Sequence, residues 1–420
     1  MFAKLKQLFS PACKDLRKRI YFTLMCLGLF CLGSNVTIPW ASAVYQELGF
    51  LEIFNLMSGG GLKSFSIFAL GVSPYITASI ITQLLQMDII PYFKELKDEG
   101  YTGRQKINRI TRYLGILFAI IQAYILTIVY MKGMSSMDIL KTTIVMTAGT
   151  CFLLWIGDEV TNKGIGNGMS LLIMAGIIQS LPSMFVTAFQ GFVTSGTYTT
   201  LVGSLLFAAF VLIYIFIIVG VVFIQLAERR IPIQYSNRTN SAYGAQTSFL
   251  PIKLNSAGVM PVIFAMTLLA IPTTIVNLIG NENAINFVNN YIVSTSPTGF
   301  VLYILLIMFF GYFYTFMELN PEEMSKNLNK NGGYIPGVRP GVETTNYISN
   351  IIGKLTIVGS IFLVIIAGLP ILFSKFSGLP SSVTIGGTGL LIVVGVAIET
   401  YKQIESSLVS REYKRGRRRR

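Results

Sequence analysis

Few residues in this sequence could carry out metal or redox chemistry. Histidine is absent, and the four cysteines, Cys13, Cys26, Cys31 and Cys151, form no Cys-x-x-Cys pair. Without imidazole or paired thiolates the commonest ligands of zinc and related metals are missing. We therefore predict no metal site and no cofactor, and we expect the cysteines to be structural or incidental.

Two acidic residues and a glycine-rich turn stand together in the stretch WIGDEVTNKGIGNGMSLLI, residues 155–173. Asp158 and Glu159 lie at the end of an apolar run, where a solvated or helix-capping role outweighs a catalytic one. The turn GIGNG could open a helix and bind phosphate there, but no Walker-type lysine follows it. No Gly-x-Ser-x-Gly motif or intramembrane carboxylate pair is present, so we predict that the chain is not an enzyme.

The elements that position these residues are expected to be membrane-spanning helices. The chain has 420 residues, of which 52% are hydrophobic and 12% charged, with a mean hydropathy of +0.62. This composition is typical of a polytopic membrane protein and predicts an all-α fold. Apolar runs long enough to cross a bilayer are residues 20–39, 75–91, 113–130, 140–156, 169–189, 201–226, 259–278, 300–317, 355–373 and 385–401.

The distribution of basic residues predicts the orientation of these ten spans. An even number of spans puts both termini on one side of the membrane. Of the 33 lysine and arginine residues, only Lys63, Lys132, Lys141 and Lys375 fall on the opposite side. The positive-inside rule therefore predicts that both termini are cytoplasmic. The basic face, with a net charge of +14 overall, could attract anionic lipid or dock an anionic partner such as a ribosome.

Several segments predict breaks in the spanning helices. The stretch MSGGGLKSFSIFALGVSPY, residues 57–75, is too short between its glycines and Pro74 to cross a bilayer, so we expect a re-entrant turn. Pro74, Pro261 and Pro272 are expected to break or kink their helices, which is tolerated where protein or a water-filled cavity covers the freed backbone groups. These breaks indicate an interior path through the bundle.

Five motifs resemble those of the SecY/Sec61-alpha family, whose bacterial members form the central channel of the protein translocase. The two most specific are SIFALGVSPYITASIITQLL, residues 66–85, and the stretch at residues 155–173. The others are LNSAGVMPVIFA from Leu254, NPEEMSKNLNKNGGYIPGVRPG from Asn320 and GGTGLLIVV from Gly386. The resemblance extends from about residue 15 to about residue 405, with the motifs in the family's order and spacing.

The resemblance implies ten helices in two inverted five-helix halves, residues 1–190 and 200–402, around an hourglass pore, followed by a basic tail at 403–420. It also implies that residues 59–70 form a short re-entrant plug helix that closes the external funnel. The plug residues carried over from the family motif are Gly59, Gly60, Gly61, Ser64, Phe65 and Ile67.

The family's pore narrows at a ring of isoleucine-like residues, and the matching positions here are all isoleucine: Ile76, Ile80, Ile173, Ile263, Ile275 and Ile392. Stiff, branched apolar side chains can form a dry constriction that blocks ions by dewetting. The family also opens sideways to lipid. The resemblance places this lateral gate at Gln83, Gln122 and Thr267, whose interhelical hydrogen bonds would be weak, about 0.6 to 2 kcal/mol each.

The implied function is to pass unfolded secretory proteins, which carry signal sequences, across the bacterial plasma membrane and to release transmembrane segments into lipid. Small membrane subunits like SecE and SecG, the motor ATPase SecA and the ribosome are the implied partners. The motor and ribosome would bind the long loops 228–253 and 318–354, through Arg229, Arg230, Arg238 and Arg339. In YIPGVRPG, two prolines and two glycines surround Arg339, which would present its side chain at a defined place.

Two other classes compete with this prediction. A secondary transporter of small solutes would explain the broken helices and possible inverted repeats, but it needs polar or charged ligands near the membrane midplane. The span interiors contain almost none. A purely structural membrane scaffold would not account for the split second span or for the two long basic loops.

Overall fold

The computed structural model describes residues 14–41, 52–86, 90–131, 135–194, 199–235, 248–279, 281–293, 296–377 and 381–418. In chain order the helices are α1 (Lys14–Ser34), α2 (Glu52–Met57), α3 (Ser73–Leu85), α4 (Pro91–Asp98), α5 (Tyr101–Tyr130), α6 (Ser136–Lys163), α7 (Gly168–Phe189), α8 (Thr200–Leu226), α9 (Met260–Ile279), α10 (Glu282–Tyr291), α11 (Pro297–Glu318), α12 (Pro321–Lys330), α13 (Val342–Ser377) and α14 (Ser381–Arg418). The strands are β1 (Glu228–Tyr235), β2 (Ser248–Lys253) and β3 (Gly333–Tyr334).

Each apolar run that we predicted to span the membrane overlaps one of these helices, so the predicted helical membrane architecture is confirmed. The helices that correspond to the ten runs are α1, α3, α5, α6, α7, α8, α9, α11, α13 and α14. Six helical stretches in the described residues are long and apolar enough to cross a bilayer on their own: Tyr101–Tyr130, Ser136–Lys163, Gly168–Thr194, Thr200–Leu226, Pro297–Lys330 and Val342–Phe373. Helix α9 contains a shorter apolar stretch, Met260–Thr273.

The chain folds into two compact units. The first unit comprises Met1–Phe210, Thr274–Asn281 and Ser377–Arg420, and the second comprises Val211–Thr273 and Glu282–Phe376. Within the first unit, α5 packs against both α3 and α6, while α7 packs against α14 and α6. The inverted halves at residues 1–190 and 200–402 stay a prediction.

Proline positions differ in part from the predicted breaks. Pro74 and Pro261 are each the second residue of a helix, α3 and α9, and therefore begin these helices instead of breaking them. The first turn tolerates proline because its amides have no intrahelical acceptor. Pro272 does lie inside α9, as predicted, and Pro182 and Pro370 lie inside α7 and α13.

A small sheet in the second unit was not predicted, because we expected only loops between the helices there. The strand order is β2-β1-β3 and both pairs are antiparallel, with Ile231 opposite Leu250 and Gln234 opposite Tyr334. Ile231 and Ile233 point into an apolar cluster while the residues between and before them are exposed. This alternation has the period of a strand with one buried face. The apolar cluster is formed by Ile231, Ile233, Ile252, Leu328, Ile335, Ile348 and Ile352.

Candidate functional site

The segment at residues 58–72, which we call the glycine-rich segment, follows the short helix α2 and precedes α3. We expected a short helix at 59–70, but these residues form consecutive turns, and the short helix α2 ends before them at Met57. Gly59, Gly60 and Gly71 have φ angles of 72°, 83° and 55°, and Phe65 has a φ of 44°. Glycine adopts this left-handed region freely, so these glycines allow the segment itself to fold into turns.

The glycine-rich segment pairs with the chain that follows α1. The amide of Ile67 donates a hydrogen bond to the carbonyl oxygen of Val36 at 3.0 Å, and the amide of Ile38 donates to the carbonyl oxygen of Phe65 at 2.9 Å. The segment is also bonded to α2, because the Lys63 amide donates a hydrogen bond to the side-chain oxygen of Asn55 at 3.1 Å. Hydrogen bonds at Lys63, Phe65 and Ile67 therefore hold the middle of the segment.

Glycines in two neighbouring helices admit the backbone of this segment and of the last residue of α2. A Cβ atom on Gly149 of α6 would clash with the carbonyl oxygen of Ile67, and one on Gly176 of α7 would clash with the carbonyl oxygen of Met57. A larger residue at Gly149 would push the segment away, and one at Gly176 would push away the end of α2 from which the segment continues, because neither obstacle is a flexible side-chain end. We call the surface around Gly149 and Gly176 the dock. It can accept the backbone that faces it only because these two residues have no side chain.

An aromatic stack and an apolar cluster complete the dock. The ring of Phe68 stacks between those of Phe30 and Phe152, with centroid distances of 6.3 and 6.1 Å. Gly33 faces the Phe68 ring so closely that a Cβ there would overlap it. The segment's own Leu62, Phe65, Ala69 and Leu70 form one buried cluster with Ile38, Ala123, Leu126, Met131 and Met146. Ser64 remains partly exposed.

The six isoleucines predicted to form a ring differ in exposure. Ile76, Ile173, Ile263 and Ile392 are each 7–8% exposed, Ile80 is half-buried and Ile275 is 48% exposed. Ile263 belongs to the second unit, and the other five belong to the first. The ring itself stays a prediction.

The three polar residues predicted for the lateral gate lie on α3, α5 and α9. Gln83 donates from Nε2 to the hydroxyl of Ser79 at 3.1 Å, whereas its Oε1 is buried without a hydrogen-bond partner in the described part of the chain. Gln122 is half-buried. Thr267 is buried and donates to the carbonyl oxygen of Ile263 at 2.8 Å within its own helix. Gln83 therefore holds a buried acceptor that has no partner in the described part of the chain.

The loop with Arg339 is anchored at the arginine itself and at Gly341. Gly337 and Gly341 have φ angles of 83° and 104°, in the left-handed region that glycine adopts freely. The hydroxyl of Thr344 donates to the Arg339 carbonyl oxygen at 2.8 Å, and that of Ser325 donates to the Gly341 carbonyl oxygen at 3.2 Å. The Arg339 side chain itself is exposed. A fixed backbone therefore presents a solvated guanidinium.

The other predicted loop arginines lie on or near β1. Arg229 and Arg230 are exposed on this strand, and Arg230 forms an ion pair with Glu228 at 2.8 Å. Arg238 lies outside the described residues. Arg230, which we predicted to contact a partner, is therefore already paired with Glu228 in this chain.

The acidic pair that the sequence singled out is engaged in ion pairs. Asp158 of α6 bonds Arg112 of α5 at 2.6 Å, and Glu159 bonds Lys163 one turn further along α6 at 2.6 Å. The first pair joins two helices of the first unit, while the second lies on one helix surface. Both acids thus have structural partners.

The turn GIGNG uses its amides internally. The Gly166 amide donates to Oε1 of Gln403 on α14 at 2.6 Å, and the Gly168 amide donates to the hydroxyl of Thr161 at 2.9 Å. Asn167 caps the first turn of α7 through its own side chain. Because these donors are occupied, the turn does not present the cradle of free amides that a phosphate site requires. Its role is to join α6, α7 and α14.

Comparisons with known proteins agree on one family. The family model described as SecY matches residues 66–401. The protein translocase subunit SecY of Bacillus subtilis is 44% identical over 95% of this chain and 96% of its own length, and that of Staphylococcus aureus strain NCTC 8325 is 44% identical over 96% of both chains. Among solved structures, a protein-conducting channel aligns with a TM-score of 0.70 at 21% identity, covering 94% of this chain and 93% of its own.

A second solved structure, Sec61 in a canine ribosome-channel complex from the endoplasmic reticulum, aligns with a TM-score of 0.65 at 20% identity, covering 94% of this chain and 93% of its own. At these identities the two structures establish the fold, and the bacterial relatives establish the relationship along nearly the whole sequence. The chain therefore belongs to the SecY family.

Proposed function

We propose that this chain is the channel subunit of a protein translocase, which passes unfolded polypeptides across a membrane and releases apolar segments into the bilayer. The observation that carries the proposal is the family membership over the full set of spans. The glycine-rich segment supports it, because it folds back among spanning helices instead of crossing the membrane. A small-solute transporter is not favoured, since nothing in the relatives or in the described residues points to a midplane binding site.

The direct test is translocation by the purified protein with its native partners in lipid vesicles. An unfolded secretory precursor with a signal sequence is expected to become protected from added protease, and a version without the signal sequence is expected to remain accessible. Saturable uptake of a small solute, with no protection of the precursor, would instead support the transporter class.

In this proposal the glycine-rich segment is a plug and the six isoleucines form the constriction. The plug is supported by the two clashing glycines, Gly149 and Gly176, which leave room for a seated main chain but not for a larger residue at the dock. A constriction of isoleucine side chains blocks ions without binding a passing polypeptide, because such side chains offer neither charge nor hydrogen bonds. Both assignments extend the family resemblance to these residues.

The orientation and the partners belong to the same proposal. Both termini would be cytoplasmic in a bacterial plasma membrane, because the basic residues collect on that side. The channel itself would catalyse no reaction, so energy would come from a motor ATPase like SecA or from a translating ribosome, and small subunits like SecE and SecG would complete the membrane complex. The exposed Arg339 on its anchored loop supports a docking role for this face.

The lateral gate would open along helices that include α3 and α9. Gln83 supports this assignment because an unsatisfied buried acceptor costs about 1 to 3 kcal/mol, so a state in which Oε1 gains a partner is favoured. We expect cysteines introduced at Gln83 and Thr267 in a variant without the native cysteines to form a disulfide that blocks the release of membrane segments.

The measurement is extraction of a radiolabelled signal-anchor protein into lipid, before and after reduction of the disulfide. Reduction should restore release to the level of the parent, which provides the internal control. Unimpaired release from a fully cross-linked population would show that membrane segments leave the channel elsewhere.

A further inference from the structure

A polar cleft of about 350 Å³ lies in the first unit, between the turn GIGNG before α7 and the middle of α14. The turn contributes Asn167 and Ser170 to its wall, and α14 contributes Val396 and Glu399 among others. Neither the family resemblance nor the proposed function assigns a role to this cleft. Its position and its charge together point to a ligand.

The cleft continues the helix faces that carry two of the proposed ring residues. Ser170 precedes Ile173 by three residues on α7, while Val396 and Glu399 follow Ile392 by four and seven residues on α14. Residues at these spacings lie on one face of an α-helix. At 1.5 Å of rise per residue, Glu399 lies roughly 10 Å along the helix axis from Ile392. In the proposed orientation this displacement is towards the cytoplasm, where a polypeptide enters.

The chemistry of the lining favours a cation over an anion. The amides of Gly166 and Gly168 are occupied within the fold, so these two donors are not available to phosphate or carboxylate. Glu399 is exposed, and in the part of the chain that the structure describes it forms no ion pair, not even with Lys402 one turn away. Its carboxylate and the hydroxyl of Ser170 are acceptors that suit an ammonium or a guanidinium group.

We propose that this cleft binds the basic amino-terminal segment of an entering signal sequence or signal anchor. The inference rests on the proposed channel function and specifies how one part of the substrate is recognised. A signal sequence carries its positive charges immediately before its apolar stretch. With those charges at Glu399, the apolar stretch begins within a few turns of the level of Ile173 and Ile392. The cleft would thereby hold the charged end on the cytoplasmic side while the apolar part enters.

The test uses the complete translocase complex in vesicles of phosphatidylethanolamine and phosphatidylglycerol. Two precursors serve as probes and differ only in carrying lysines or glutamines before the apolar stretch. The Glu399→Lys variant is expected to slow the lysine precursor about two- to fivefold, the range of one partly exposed ion pair, at subsaturating concentration. The glutamine precursor should be unaffected, and Glu399→Gln should show the same selectivity with a smaller loss. A third precursor with glutamates at those positions should be faster in Glu399→Lys than in the parent.

Glu405→Lys is the matched control, because it makes the same charge reversal on α14 at a residue that does not line the cleft. Equal slowing of the lysine and glutamine precursors, unchanged rates in Glu399→Lys, or equal slowing in the Glu405→Lys control would each overturn the proposal. Binding of a partner's basic segment in the cleft would appear as equal slowing of all precursors. Failure of the channel function itself is distinguishable, since the parent complex would then translocate none of them.

Discussion

Replacing Arg339 with glutamate is expected to lower motor-driven export about 10- to 100-fold while the protein remains folded and inserted. A hydrogen bond to a charged group contributes about 1.5 to 3 kcal/mol, and each 1.4 kcal/mol is a factor of ten. The side chain is exposed, so the substitution removes no internal contact of the kind that its backbone makes with Thr344. The measurement is the rate at which a secretory precursor becomes protease-protected in vesicles supplied with the motor and ATP.

The backbone that carries Arg339 is held in place by hydrogen bonds and apolar packing. Arg339 is held on a backbone fixed through Thr344 and through the neighbouring Gly341, and the loop rests on the apolar cluster that includes Ile335 and Ile348. A guanidinium on a fixed backbone loses little conformational freedom when it binds a carboxylate or phosphate through two parallel hydrogen bonds. Lysine reproduces this bidentate geometry poorly. Arg339→Lys is therefore expected to be intermediate in rate.

The control for Arg339 is Lys326→Glu, the same reversal of charge at an exposed position on the neighbouring helix α12. It should leave export close to that of the parent if the position matters more than the net charge. Normal export by Arg339→Glu, or equal loss in both variants, would contradict a specific docking role for this arginine.

The spanning helices could be predicted because a bilayer imposes one strong requirement on sequence. Every backbone group must be satisfied internally across about 30 Å of hydrocarbon, so long apolar runs can only be helices there. The run at 201–226 is an example, since it became Thr200–Leu226 almost unchanged. Outside the hydrocarbon this constraint disappears. The strand β1 was missed although the alternation around Ile231 and Ile233 was visible, because two alternating isoleucines in a basic loop are a weak signal.

The dock for the glycine-rich segment could not be predicted, because it depends on residues far apart in the chain. Gly149 and Gly176 look like ordinary small residues inside apolar helices, and their importance follows only from the carbonyl groups that face them. The same holds for Gln403, whose bond to the Gly166 amide joins positions 237 residues apart. Local pattern predicts which segments form helices, whereas close backbone approach is a property of the packed structure.

Substituting Gly149 with alanine is expected to raise the resting ion conductance of the channel by about 5- to 100-fold. Extra volume in a packed site destabilises it by about 1 to 3 kcal/mol. At Gly149 this destabilisation applies only to the state in which the segment lies against α6. The seated population falls by the corresponding factor, since 1.4 kcal/mol is tenfold. The measurement is the current across a planar bilayer containing the purified complex without signal peptide or precursor.

Gly28→Ala is the matched control for this prediction, because a Cβ at Gly28 of α1 would meet no atom within 4 Å. It should conduct like the parent. A channel lacking residues 59–70 should leak at least as much as Gly149→Ala, and adding Gly149→Ala to that deletion should have no further effect, because two changes that act on one contact are not additive. A further increase in the double variant would mean that Gly149 acts on the helix bundle and not on the seated segment. Equal currents in Gly149→Ala and Gly28→Ala would show that the segment forms no part of the seal.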